Sequence, residues 1–123
     1  LWHNWFEPET VVENAQFDER SFGNVERHYN VHLVEKFGEA MMQTWKDNLH
    51  NCPMGGETQF QCYQRCVPFF QNQVEPLLDD KNVMLVCHEH ILKALVGYLE
   101  DLPMEKQLNL NFDNCKPIHY DFS

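Results

Sequence analysis

The sequence predicts an α/β fold, most simply part of a three-layer sandwich. Val83 to Val86 form a continuous apolar run, the pattern of a strand covered on both faces of a sheet. Directly after it, Ile91, Leu92, Leu95, Val96 and Leu99 recur at helical spacing, with Lys93 and Glu100 on the opposite side. Along the chain the segments read in the order helix, strand, helix, strand, which belongs to the same class.

Taken along the chain, residues 1–30 are the least regular. Trp2, Trp5, Phe6 and Phe17 supply apolar anchors there without a period. From His32 to Leu49 the spacing predicts a helix, with Leu33, Phe37, Ala40, Met41, Thr44 and Trp45 on one face. The Met41, Met42, Trp45 stripe reads as core packing. Asn51-Cys52-Pro53-Met54-Gly55-Gly56 is a loop, broken by proline and glycine. A second helix is expected from about Glu57 to Leu78, with Phe60, Tyr63, Val67, Phe70, Val74 and Leu77 toward the core. Pro68 should kink it by removing one backbone donor. Asp79-Asp80-Lys81-Asn82 turns into the strand of residues 82–87. After the helix ending near Leu102-Pro103, Leu108, Leu110 and Phe112 alternate, as do Ile118, Tyr120 and Phe122. These read as one or two closing strands.

The 123 residues fit one domain, 1–123, without repeats, low-complexity tracts or linkers. Three Trp and nine Phe argue for a packed core rather than disorder. A net charge of −10, with nine scattered Lys and Arg, argues against nonspecific binding to nucleic acid or an anionic membrane. No apolar run reaches the ~20 residues of a membrane span, and the opening residues carry no secretory pattern. Five cysteines in no framework-like pattern fit free thiols in a reducing cytosol, so a cytoplasmic location is expected. The chain starts at Leu1 rather than Met, as a fragment or a processed product would.

Three features could carry chemistry. His88 stands at the carboxyl end of the expected strand, where ligands bind in open α/β sheets, beside a helix N-terminus that favours anions. Glu26-Arg27-His28-Tyr29 sets a carboxylate beside a guanidinium, a proton donor next to a phosphate clamp, or else a solvated loop. In Gly56-Glu57-Thr58, Glu57 either orients a ligand or satisfies a helix dipole. A metal reading of Cys87, His88 and His90, with Cys62 and Cys66 one helical turn apart, has poor zinc spacing. Buried free thiols are the commoner outcome, and no metal is expected.

In order, these features resemble the cofactor-dependent phosphoglycerate mutases of the histidine phosphatase superfamily, from about Asn24 to Phe122. Glu26-Arg27-His28-Tyr29 looks like the family's Glu-Arg-His-Tyr, followed by Phe37-Gly38-Glu39-Ala40 and Trp45. Gly56-Glu57-Thr58 resembles its Gly-Glu-Ser helix start, and Val67-Pro68-Phe69-Phe70 keeps its kinking proline. Val86-Cys87-His88, Leu92 to Glu100, Leu108-Asn109-Leu110 and Lys116 to Tyr120 follow. The resemblance implies a glycolytic isomerase that interconverts 2- and 3-phosphoglycerate through a phosphohistidine, with 2,3-bisphosphoglycerate as cofactor and a dimeric assembly. It implies that His88 stabilises the phosphoryl group, Glu26 moves the proton, and Arg27, Tyr29 and Glu57 bind substrate.

The departures are as specific. In the family the nucleophile is the histidine of an Arg-His-Gly motif, and the only Arg-His here is Arg27-His28. The first strand that carries it has no counterpart, nor have a Gly-Gly-Leu stretch and a substrate-binding lysine. The paired arginines become Lys46-Asp47, and His-Gly-Asn becomes His88-Glu89-His90. A Glu89 carboxylate ~4 Å from a phosphate would cost about 4 kcal/mol at an effective dielectric near 20. The chain is therefore expected to be the central and C-terminal part of the mutase fold with an incomplete sheet, a pseudoenzyme inactive as this chain. An interaction protein that binds a full-length mutase or another partner is the alternative, and a metal-binding protein the second. The incomplete sheet is expected to leave an unpaired apolar edge and a marginally stable homo- or hetero-oligomer.

Overall fold

The computed structural model describes residues 11–122. The order is α1 (Asn30–Phe37), α2 (Glu39–Asp47), α3 (Gln59–Phe69), α4 (Glu89–Leu99) and α5 (Met104–Gln107), with short 3-10 turns at Ala15–Phe17, Gly23–Val25 and Glu75–Asp79. The described residues contain no β-strand. The expected α/β sandwich, even with an incomplete sheet, is thus corrected to an all-helical arrangement. Residues 82–87 are extended, as their apolar run suggested, but an extended segment becomes a strand only when another segment accepts and donates its backbone hydrogen bonds. No such partner is present among the described residues. Residues 108–112 and 118–122 also stay outside any sheet.

The long helix expected over 32–49 is two. Gly38 has φ +81°, outside the helical region and suited to glycine. Its N–H donates to Val34 O (2.9 Å) and closes α1, while its carbonyl accepts from Met42 N (3.3 Å) and opens α2. The break divides the predicted apolar face. Leu33 and Trp45 are buried, with Phe37 edge-on to Trp45 at 5.2 Å, whereas Phe37 and Met41 are 39% and 47% exposed. Of the methionine–tryptophan stripe, only Trp45 is core.

α3 begins at Thr58, whose side chain accepts from Gln61 N while Gln61 reaches back to Thr58 N, a complete capping box. Pro68 lies inside the helix, and just beyond it the backbone widens to a π turn over Phe70–Val74 before tightening to 3-10. The lost proline donor is the physical reason that one regular helix does not run to Leu78.

α3 packs on α4 to form the core. Cys62, Cys66, Val67, Phe70, Val74, Ile91, Ala94 and Leu95 interlock there, with Val83, Leu85 and Cys87 of the extended segment packed against them. The hydrogen bond with Cys66, and then burial, pushes the Cys62 thiol up, and burial pushes Cys87 up to about 11, so both are protonated at neutral pH and act as small hydrophobes. Lys93, expected on the outer side of α4, is buried instead. Its Nζ donates to Leu108 O (3.3 Å) and pairs with Glu89 (3.2 Å), so the C-terminal segment covers it. Trp2, Trp5 and Phe6 lie outside the described residues.

Candidate functional site

Residues 19–24 form the centre of the site, and the loop 51–57 and the start of α4 close around them. The Glu19 carboxylate accepts from the backbone N–H of His90 (3.2 and 3.4 Å) and lies 3.3 Å from His90 Nδ1. It therefore occupies the N-terminal end of α4, where the helix dipole and free N–H groups favour an anion. Burial alone would raise the Glu19 pKa. Hydrogen bonds from the His90 ring and from Arg20 N, with the charge of His90, outweigh it and hold Glu19 below the usual carboxylate range.

Arg20 is buried, with 2% of its surface exposed. Its Nε donates to Glu57 O (2.7 Å), and its Nη2 donates to Trp45 O (2.8 Å) and Asn51 O (3.1 Å). The guanidinium also lies 4.7 Å from the centre of the Phe22 ring, which is itself edge-on to His90. One side chain thus ties the end of α2, the loop and the entrance to α3 together. The two backbone stretches also pair directly, Asn24 N donating to Met54 O (3.0 Å) and Glu57 N to Ser21 O (2.8 Å). Glu57 holds Arg65 by two bonds (2.9 and 3.0 Å), and Arg65 donates further to the carbonyls of Ala15, Gln16 and Asp18.

Glu26 reaches back to this centre from the solvent side. It accepts from Ser21 Oγ (2.9 Å) and Phe22 N (2.7 Å), and these bonds depress its pKa although it is fully exposed. His88 is the N-cap residue of α4, exposed, with no side-chain capping bond. Glu89, whose orientation the sequence leaves open, turns along α4 to Lys93. Arg27 is exposed at φ +66°, and Tyr29 is 77% exposed with its ring on His32. The structure brings Glu57, Glu26 and the His88 end of α4 around residues 19–22. It does not bring Arg27 and Tyr29 into contact with Glu57 or His88. An open groove between α1 and α2, lined by Asn30, Val34, Glu39, Met42 and Lys46, contains none of the expected residues. Among the described residues, no group of three or more His, Cys, Asp or Glu side chains is arranged to hold a metal ion.

The sequence reading missed Glu19 and Arg20, although a signal was present. Glu-Arg followed two residues on by an aromatic occurs twice, as Glu19-Arg20-Ser21-Phe22 and as Glu26-Arg27-His28-Tyr29. Only the first is followed by Gly23, which the close approach to Gly56 requires.

The profile of the histidine phosphatase superfamily (branch 1) matches residues 6–123. The chain belongs to that superfamily. Among curated proteins it is 31% identical to a 2,3-bisphosphoglycerate-dependent phosphoglycerate mutase of Cytophaga hutchinsonii, over 92% of this chain and 54% of that protein. It is 30% identical to the enzyme of the same description from Methanosarcina acetivorans, over 92% of this chain and 46% of that one. The chain thus spans about half the length of these relatives. Among solved structures, a mycobacterial glucosyl-3-phosphoglycerate phosphatase superposes with a TM-score of 0.68 at 23% identity, covering 80% of this chain and 49% of that one. Its complex with inorganic phosphate gives the same TM-score at 22% identity, over 80% of this chain and 50% of that chain. In this superfamily member, the anion position at the start of α4 is filled by the chain's own Glu19.

That contact has a pH signature. The folded pKa of Glu19 lies below its ordinary value of 4.5, so its contribution to stability is complete above 4.5 and is lost as pH falls through the depressed value. The gap in melting temperature between the native chain and Glu19→Gln should be widest at neutral pH and close on acidification below that value. A gap independent of pH would show that the charge of Glu19 contributes nothing.

Proposed function

We propose that this chain is a degenerate or truncated phosphoglycerate mutase-like protein without phosphoryl-transfer turnover as this stretch of polypeptide. The observation that carries this reading is the absence of any Arg-His-Gly histidine from its 123 residues. Covalent transfer needs that nucleophile, and no substitute offers its chemistry. The electrostatics agree. Arg20 is committed to three backbone carbonyls and Arg65 to Glu57, so neither guanidinium is turned to a phosphate, and charge stabilisation supplies most of the catalysis in phosphoryl transfer.

In this reading His88 and Glu57 keep the positions that would face a phosphorylated ligand, with Glu19 as the carboxylate at the start of α4. Glu26, Arg27 and Tyr29 form the exposed rim, where a ligand such as 2,3-bisphosphoglycerate would meet them first. The role left is binding, to a full-length mutase or another protein, in a cytoplasmic homo- or hetero-oligomer. No helix of the described residues is long and apolar enough to cross a membrane.

Purified chain is expected to show no mutase turnover and no acid-labile phosphohistidine when given 2,3-bisphosphoglycerate. Turnover that disappears in His88→Ala would overturn the proposal and make His88 or a neighbour the nucleophile.

A further inference from the structure

We infer that Cys52 is a modification site, oxidised by hydrogen peroxide to a sulfinate whose oxygens the buried guanidinium of Arg20 holds. Neither turnover nor a phosphorylated ligand enters this chemistry, which stands apart from the catalytic reading. Its starting point is an orphaned donor. The Nε and Nη2 of Arg20 serve the carbonyls of Glu57, Trp45 and Asn51, and the Phe22 ring lies against the guanidinium at 4.7 Å. Nη1 brings further N–H groups, is buried, and has no hydrogen-bond partner among the described residues. Buried donors on a charged group are costly to leave unmade, and each one calls for a reason.

The carboxylates nearby are already engaged, Glu57 with Arg65 and Glu19 with His90. Cys52 follows Asn51, whose carbonyl holds Nη2 at 3.1 Å, and of the ionisable neighbours of Arg20 its thiol acts most strongly on the guanidinium. A thiol is a weak acceptor and leaves Nη1 unsatisfied. A sulfinate offers two oxygens and a negative charge, the pairing that a carboxylate makes with a guanidinium. Cys52 is also partly exposed, so peroxide reaches it, whereas Cys62, the next thiol to act on Arg20, is fully buried.

The sulfur bonds to one peroxide oxygen as the O–O bond breaks. The other oxygen departs as hydroxide and takes the thiol proton, which leaves a sulfenic acid and water. A second peroxide repeats the transfer and gives a sulfinic acid, which ionises, and a second water. Each step oxidises the sulfur by two electrons and reduces one peroxide. The free N–H groups of Nη1 stand ready for the charge that develops on the departing oxygen, and then for the sulfinate that remains. Cys115 is the internal comparison. It is more exposed than Cys52, but the neighbouring Lys116 is paired with Asp113 at 3.6 Å. Exposure alone favours Cys115, and the orphaned donor favours Cys52.

The test treats the whole folded chain with limiting hydrogen peroxide and dimedone, which captures sulfenic acids, and maps the adducts by mass spectrometry. Cys52 should be captured faster than Cys115 by about tenfold or more. In urea, with the chain unfolded, that preference should vanish. With excess peroxide and no dimedone, Cys52 should gain two oxygens. Cys52→Asp, whose carboxylate stands in for the sulfinate, should melt at a higher temperature than Cys52→Ala. Capture of Cys115 as fast as Cys52 in the folded chain would overturn the proposal, as would a preference that persists in urea. So would Cys52→Asp melting at or below Cys52→Ala, or failing to fold, because a carboxylate there would then find no donor.

Discussion

Arg20→Met should cost about 3–5 kcal/mol, a large share of the roughly 5–15 kcal/mol that small domains have to lose. The buried guanidinium supplies the donors for the carbonyls of Trp45, Asn51 and Glu57, and methionine supplies none. Arg20→Lys should fall between, because an ammonium keeps the charge but not the planar fork that reaches three acceptors. Arg27→Met is the matched comparison. Arg27 belongs to the same short pattern but is exposed, so its loss should stay within about 0.5 kcal/mol. Urea denaturation of the three variants measures all of this. Equal losses at positions 20 and 27 would mean that Arg20 does not join α2, the loop and α3 as described.

Gly23→Ala is the second large effect. The residue sits at φ +59°, which costs a non-glycine residue about 1–2 kcal/mol. An added Cβ would also fall 2.3 Å from Gly56 N and 2.5 Å from Met54 O. Those are backbone atoms that cannot rotate aside, so residues 20–24 and 53–57 must separate, for a further ~1–3 kcal/mol. The Asn24–Met54 and Glu57–Ser21 bonds would open, and faster exchange of the Asn24 and Glu57 amides should report it. Gly38→Ala separates the two causes, since Gly38 has φ +81° but nothing within 4 Å of its Cβ position. It should pay the conformational cost alone, about 1–3 kcal/mol, since φ +81° with ψ 153° lies in a region essentially restricted to glycine. Unchanged exchange of the Asn24 and Glu57 amides in Gly23→Ala would mean that the two stretches are not in contact.

These expectations turn on the difference between two similar pieces of sequence. Glu26-Arg27-His28-Tyr29 is legible as a motif, and reading it as the site is natural from spacing alone. Spacing says nothing about which copy of a short pattern is packed inside. Glu19 and Arg20 are distinguished by what lies across from them, the N–H of His90 and the carbonyls of residues 45, 51 and 57. Those partners are 25 to 71 positions away. Lys93 was misread for the same reason. Its side of α4 is outer by helical period but is covered by Leu108, which arrives from beyond α5.

By itself the sequence determined what depends on near neighbours. The helical stretches, the irregularity at Pro68, the extended apolar run of residues 82–87 and the ordered motifs that point to the superfamily are all written within a few residues of where they act, whereas the break at Gly38 inside the helix expected over 32–49 was not read from them. Pairing was decided by the tertiary structure. A run such as Val83 to Val86 has the shape and hydrophobicity of a strand, but its hydrogen bonds must come from a distant segment. Among the described residues none supplies them, so an expected sheet became an all-helical core with an open edge. Periodicity encodes which way a side chain points, whereas pairing and burial depend on what else arrives there.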